Sequence, residues 1–141
     1  MKSSKFWLAV LVGGVVANIM DLAVYTQWLG PTYMAANPTL FRQDTNPGWF
    51  IFGDFVVVFV FAWVYDKVSS AFGTTPKDGM MAGLYLGILA NFPYNIFLHL
   101  MFNGYPYSLS WIGVIYGVIW YMIVGYVVAM VMKKGTAAAS A

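Results

Sequence analysis

The sequence predicts an all-α integral membrane protein: a four-helix antiparallel bundle with N- and C-termini in the cytoplasm. Three observations predict it. First, 61% of the 141 residues are hydrophobic and 9% are charged, against about 25% charged in a soluble domain. Second, four apolar runs each approach or exceed the roughly 20 residues that a helix needs to cross a bilayer. Helices are the sensible spanning form at such lengths, because their backbone hydrogen bonds close within the segment. Third, six of the seven Lys and Arg residues fall on one side if the chain crosses four times. That side is cytoplasmic, because short cytoplasmic loops carry the excess of basic residues.

The first helix is expected over about 6–28. It follows MKSSK and opens with FWLAVLVGGVVA. A secretory signal peptide has this pattern too, but the apolar run continues past Ala17 to Trp28. The first linker, about 29–48, holds Pro31, Pro38 and Pro47 with Gly30 and Gly48 as breakers. The second helix is expected over about 49–68 and is bulky and nearly featureless, so it should face lipid or a large partner. SSAFGTTPKD separates it from the third helix, about 79–102. The tight NGYPYS leads to the fourth, about 109–132. The tail GTAAASA is small and polar.

The basic residues Lys2, Lys5, Lys67, Lys77, Lys133 and Lys134 share the cytoplasmic side, and Arg42 stands opposite. Trp28, Tyr33, Trp49, Tyr105, Tyr107 and Trp111 gather near the outer ends, as an interfacial aromatic belt does.

Orientation then assigns depth. At about 1.5 Å per residue, Asn18 lies about 18 Å and Asp21 about 22 Å from the cytoplasmic entry of the first helix. By the same rise Asp54 lies only about 7 Å below the outer surface. Asn91, Asn95 and His99 lie about 18, 24 and 30 Å along the third helix. These polar groups therefore concentrate in the outer half of the membrane, and the candidate ligand-binding residues are Asn18, Asp21, Asp54, Asn91, Asn95 and His99. A carboxylate at such depth costs a few kcal/mol and faces the bundle interior as a rule. Asn18, Asp21 and Tyr25 share one helix face by their spacing. Asn91, Asn95 and His99 step by four and stack as neighbours.

Each candidate also has a bland reading. Asp21 pairs structurally as readily as it functions, and Asp54 is shallow enough to reach water. Arg42 is a candidate partner for either, or for Asp44. The two asparagines read first as interhelical hydrogen-bond glue. His99 reads as an interfacial histidine, a proton-titrating group, or a ligand for a metal, haem or chlorin pigment. With Asp21 and Asp54 it offers a mixed ligand set, which spacing alone cannot assemble.

Pro93 cannot donate to the Leu89 carbonyl. A kink there should splay the outer end of the third helix, and Asn91, Asn95 or a water should take up the freed carbonyl. The row Gly79, Gly83, Gly87 and the pair Gly113, Gly117 permit close helix contact, within the chain or between subunits of a homo-oligomer or a membrane protein partner. A row of four-residue steps drifts by about 40° per step, so the glycine end and the polar end of the third helix can serve different neighbours.

No catalytic residue emerges: there is no zinc-protease motif, no phosphate-cradling glycine loop and no serine-nucleophile elbow. No lysine lies within a spanning segment for a retinal Schiff base. Without cysteine, disulfides and thiolate sites are excluded. The net charge of +2 gives no basis for nucleic-acid binding. The partner that composition does imply is the lipid bilayer; cofactors stay unknown.

The stretch NIMDLAVYTQWLGPTYM, the second helix ending in WVYDKV and the third starting GMMAGLYLG resemble small four-helix bacterial membrane proteins of uncharacterised families. The resemblance implies a bacterial plasma membrane location and carries over no functional residues. Three functions follow as expectations. The first is a non-enzymatic protein binding a small or lipid-like molecule in an outer-half pocket between the first three helices, covered by the first linker, with Asp21 and Asn95 as anchors. The second is an accessory subunit of a larger redox or photosynthetic membrane complex. The third is a proton-coupled transporter using Asp21 or His99.

Overall fold

The computed structural model of the protein describes residues 3–36, 38–39 and 46–133. Lys2, Arg42, Asp44 and Lys134 lie outside the described residues, as does most of the first linker expected to cover a pocket.

Helix α1 (Ser4–Val24) begins at Ser3, whose hydroxyl accepts the Phe6 N–H at 3.3 Å. A hydroxyl at this position satisfies an N–H that the helix itself leaves open. The expectation that the helix stops near Trp28 is corrected. The chain passes through a π-helical turn, Tyr25–Leu29, and continues as α2 (Gly30–Ala36). Together they form a helical run of 33 residues.

Pro31 explains the step rather than an ending. It has no N–H to give the Gln27 carbonyl, and the wider turn absorbs the mismatch. The Gly30 N–H reaches back five residues to the Tyr25 carbonyl, and a Cβ at Gly30 would come within 2.6 Å of that oxygen. Thr26 donates to the Leu22 carbonyl, and Thr32 to that of Trp28 at 2.7 Å. Both hydroxyls are thus satisfied within the helical run, four residues back.

Helix α3 (Pro47–Phe72) starts with proline in its first turn and Asn46 as cap, the Gly48 N–H donating to Asn46 Oδ1 at 2.9 Å. It ends at Gly73, whose φ of +102° suits glycine. Helix α4 (Pro76–Met101) opens with a reciprocal capping box: Asp78 N–H donates to Thr75 Oγ1, and Thr75 N–H to Asp78 Oδ2. It runs through Pro93 as one helix. Helix α5 (Tyr107–Met132) follows a short loop containing Gly104 at φ +80°.

Among the described residues, four helical runs are long and apolar enough to cross a membrane: Ser4–Ala36, Pro47–Phe72, Pro76–Met101 and Tyr107–Met132. Each expected helix is present: the first runs on to Ala36, the other three start two or three residues early, and the second also ends four residues late. Among the described residues there is no strand. The molecule is therefore an all-α, multi-pass membrane protein in contact with lipid.

Packing is uneven. Helices α4 and α5 form the most extensive contact; α1 packs on α5 and on α3, and α3 makes smaller contacts with α4 and α5. Gly79 lies against Gly125 and Ala129, Gly83 against Tyr121 and Met122, and Gly87 against Val118 and Tyr121. The glycine row thus makes an internal contact. The row continues with Asn91 against Gly117 and Asn95 against Gly113. The drift permits different neighbours for the two ends of α4, but both meet α5. Facing positions on α5 (113, 117, 121, 125, 129) also step by four. When four-residue ridges of both helices interlock, the helices cross and follow the drift, the right-handed arrangement of about −40° common for small-residue rows in membranes.

Two apolar clusters fill the interior. One joins Phe6, Ala9, Val58, Phe61, Ala62, Val124 and Val128. The other, at the α4–α5 loop end, joins Leu29, Tyr33, Tyr105 and Leu109. Tyr116 packs against both. The outward face of α3, including Trp49, Phe50, Phe52, Phe59 and Trp63, is exposed, as its sequence suggested.

Candidate functional site

Between the two apolar clusters, α1 and α3 bring two carboxyl groups together. The Asp21 and Asp54 side chains, 33 positions apart in sequence, lie close enough to interact. From α5, the Tyr116 hydroxyl donates to Asp21 Oδ1. The Tyr116 ring meets Tyr25 edge-on, with centroids 5.6 Å apart. Asn18, one turn before Asp21, donates from Nδ2 to its own helix at the Gly14 carbonyl (2.9 Å) and lies 3.5 Å from the Ile51 carbonyl of α3. Close approach of α1 and α3 has a local cause. Gly13 sits against Val58 and Gly14 against the Phe55 ring, so both lie where a side chain would hold the helices apart.

Two carboxylates in contact inside a poorly solvated layer repel strongly, because the dielectric is low. A carboxyl–carboxyl hydrogen bond also requires a proton on one partner, since an ionised carboxylate only accepts. This arrangement is chemically suited to holding one exchangeable proton.

The asparagines occupy a different seam. Asn95 is 6% exposed, and its Nδ2 donates to the Asn91 carbonyl at 2.9 Å. Asn91 Nδ2 donates to the Gly87 carbonyl at 2.9 Å. Both amides thus bond their own helix four residues back rather than the Leu89 carbonyl that Pro93 leaves open. Their carbonyl oxygens crowd Gly117 and Gly113 of α5.

The loop end carries the remaining candidate. His99 Nδ1 is 2.7 Å from the Tyr105 carbonyl oxygen, and its ring lies 5.1 Å from that of Tyr107. Tyr33, delivered by the α2 extension, stacks on Tyr25 at 6.5 Å and on Tyr105 at 6.3 Å. Its hydroxyl donates to the Leu109 carbonyl at 3.4 Å. The structure thus unites Asp21, Asp54 and Asn18, places Asn91 and Asn95 on the α4–α5 seam, and leaves His99 at the loop end. Among the described residues no three His, Cys, Asp or Glu side chains form a metal-holding group, so the mixed set of His99 with both aspartates is not assembled. Two surface concavities, of about 460 and 210 Å³, lie elsewhere; Asn46, Gly48, Trp49 and Phe52 line the first, Met80, Ile119, Met122, Ile123 and Tyr126 the second.

Sequence reasoning missed Tyr116 and gave Tyr33 to the interfacial belt. One signal was available for Tyr116: a phenol about 14 Å along a spanning helix needs a hydrogen-bond partner when buried, and the carboxylates of the same layer are the strongest acceptors on offer.

No curated protein and no solved structure matches the chain. A family model described as "Protein of unknown function (DUF1761)" matches residues 8–129, a span that takes in Asn18, Asp21, Asp54, Asn91, Asn95, His99 and Tyr116. The chain belongs to the DUF1761 family.

Proposed function

We propose that the protein is a non-enzymatic, proton-coupled transporter of the bacterial plasma membrane, with both termini in the cytoplasm, whose proton site is the Asp21–Asp54 pair. One observation carries this reading: two carboxyl groups from different spanning helices lie close enough to interact, beside a Tyr116 hydroxyl that donates to one of them. Intramembrane carboxyls are costly, and they mark ion and proton routes in membrane proteins. Tyr116 supplies a donor to one of the two, so the pair is asymmetric: Asp21 is the acceptor, and Asp54 is placed to carry the proton between them. Asn18 ties α1 towards α3 beside the pair, while Asn91 and Asn95 brace the hairpin that presents Tyr116. The side assigned to the cytoplasm follows from Lys and Arg placement.

Infrared difference spectroscopy of the protein in liposomes, stepped through pH, tests the reading. The chain has five acidic residues, all aspartates, so isotope-labelled aspartate reports on few groups. The aspartates away from the pair give protonated-carboxyl bands common to all variants; over these, a pH-dependent band present in the wild type is expected to be missing in Asp54→Asn. Retention of the whole signal in Asp54→Asn, or its absence from the wild type, sinks the proposal.

A further inference from the structure

We infer that a buried water binds where α2, α4 and α5 meet, held by Tyr33, Asn95 and Ser110, and locks the α2 extension onto the α4–α5 hairpin. The inference is independent of the proton-site reading of the carboxyl pair.

The Ser110 side chain calls for a ligand. It is 0% exposed, and its Oγ has no hydrogen-bond partner among the described residues. A hydroxyl inside a helix can donate to the carbonyl four residues back, as Thr26 and Thr32 do. Ser110 does not. A buried hydroxyl without a partner has lost its hydration and gained nothing in exchange, so a group that takes its proton stabilises the fold.

An acceptor and a second hydroxyl stand beside it. Asn95 is buried, and its Nδ2 is committed to the Asn91 carbonyl, which fixes Oδ1 as the end of the amide that turns towards α5. Asn95 Oδ1 and Tyr33 Oη both crowd the place where Gly113 would carry a Cβ. Ser110 lies three residues before Gly113, so its Cβ is about 5–6 Å from that place on the same face of α5. One water spans such a gap with two hydrogen bonds of about 2.8 Å. Gly113 makes the room, since any side chain there would meet Asn95 Oδ1 and Tyr33 Oη.

The chemistry of the three groups selects water. Ser110 has a proton to donate and Asn95 Oδ1 only accepts, so the ligand must both accept and donate. A metal cation takes no proton from Ser110, and none of the three groups carries a charge to balance it. Tyr33 Oη donates to the Leu109 carbonyl at 3.4 Å, longer than usual, and its lone pairs are placed to take the water's second proton. Three bonds are the ordinary complement of a buried water, and here they come from three elements. Tyr33 belongs to the aromatic cluster with Leu29, Tyr105 and Leu109, which covers the loop end of the bundle. The water therefore ties that cover to the hairpin.

A crystal structure that resolves ordered water tests the site, and thiol labelling tests the lock. One water within hydrogen-bonding distance of Ser110 Oγ and Asn95 Oδ1 is expected; a dry seam, or a cation in the water's place, overturns the proposal. Ala36 packs against the aromatic cluster and the chain has no native cysteine, so the rate at which Ala36→Cys reacts with a thiol reagent reports release of α2. Adding Ser110→Ala should raise that rate about fivefold to tenfold, as loss of one bridging hydrogen bond implies. Ser108→Ala, exposed and in the same turn, should leave it unchanged. Asn95→Ala breaks the same bridge where Ser110→Ala does not fold. If Ser110 bonds no water, removing its desolvated hydroxyl relieves the seam, and the labelling rate stays the same or falls. That result overturns the lock.

Discussion

Tyr116 tests whether the polar layer is held together by specific bonds or by general packing. Its hydroxyl donates to Asp21, and a buried acceptor that loses its donor costs about 1–3 kcal/mol. Tyr116→Phe should therefore lower stability by roughly 1–2 kcal/mol, measured by reversible unfolding in mixed micelles. The same substitution in an Asp21→Leu background should cost close to nothing, because the partner is already gone. Equal costs in both backgrounds would show that the ring, not the hydroxyl, matters. At this scale Asp21 and Asp54 were legible as candidates, since depth counted from opposite membrane faces set both in the outer half. That they touch was not legible: depth fixes one coordinate, and rotation about each helix axis fixes the other. Tyr116 escaped because its partner is 95 residues away, and a lone tyrosine in an apolar helix reads as packing.

At the scale of the element, the α4–α5 hairpin is decided by what is missing from its glycines. A Cβ at Gly83 would run into the Tyr121 carbonyl and come within 2.9 Å of Met122 Cα. Both are backbone atoms, so the helices must separate. Gly83→Ala should cost about 1–3 kcal/mol, the usual range for overpacking, despite alanine's better helix propensity. Gly53 is the control: a Cβ there meets nothing within 4 Å, so Gly53→Ala should stabilise α3 by about 0.5–1 kcal/mol. Thermal unfolding of both variants in one detergent checks the pair, and destabilisation by both would discredit the packing argument. The helices themselves were readable from hydropathy, with ends displaced by a few residues because capping groups such as Thr75 and Asn46 sit outside the apolar runs. The α2 extension was not, because a proline ends one helix and is absorbed by another. The difference lies in whether the preceding turn can widen, as it does over Tyr25–Leu29.

For the whole molecule, the order of layers matters more than any single contact. An apolar cluster around Phe61 and Val128 lies at one end, the carboxyl pair follows, and an aromatic cluster around Tyr33 and Tyr105 closes the other. The pair is therefore nearer the α4–α5 loop than the α3–α4 loop. A proton site so placed exchanges more readily with whichever compartment the α4–α5 loop faces, so topology sets the direction of the proposed chemistry. The absence of native cysteine makes topology directly measurable with single-cysteine variants. Ser70 and Ser108 are both exposed and lie at opposite ends of the bundle. In intact cells, a membrane-impermeant thiol reagent should label Ser108→Cys and leave Ser70→Cys unlabelled until the membrane is opened. The reverse pattern would place Lys67 and Lys77 outside, against the basic-residue bias, and would turn the carboxyl pair towards the cytoplasmic side.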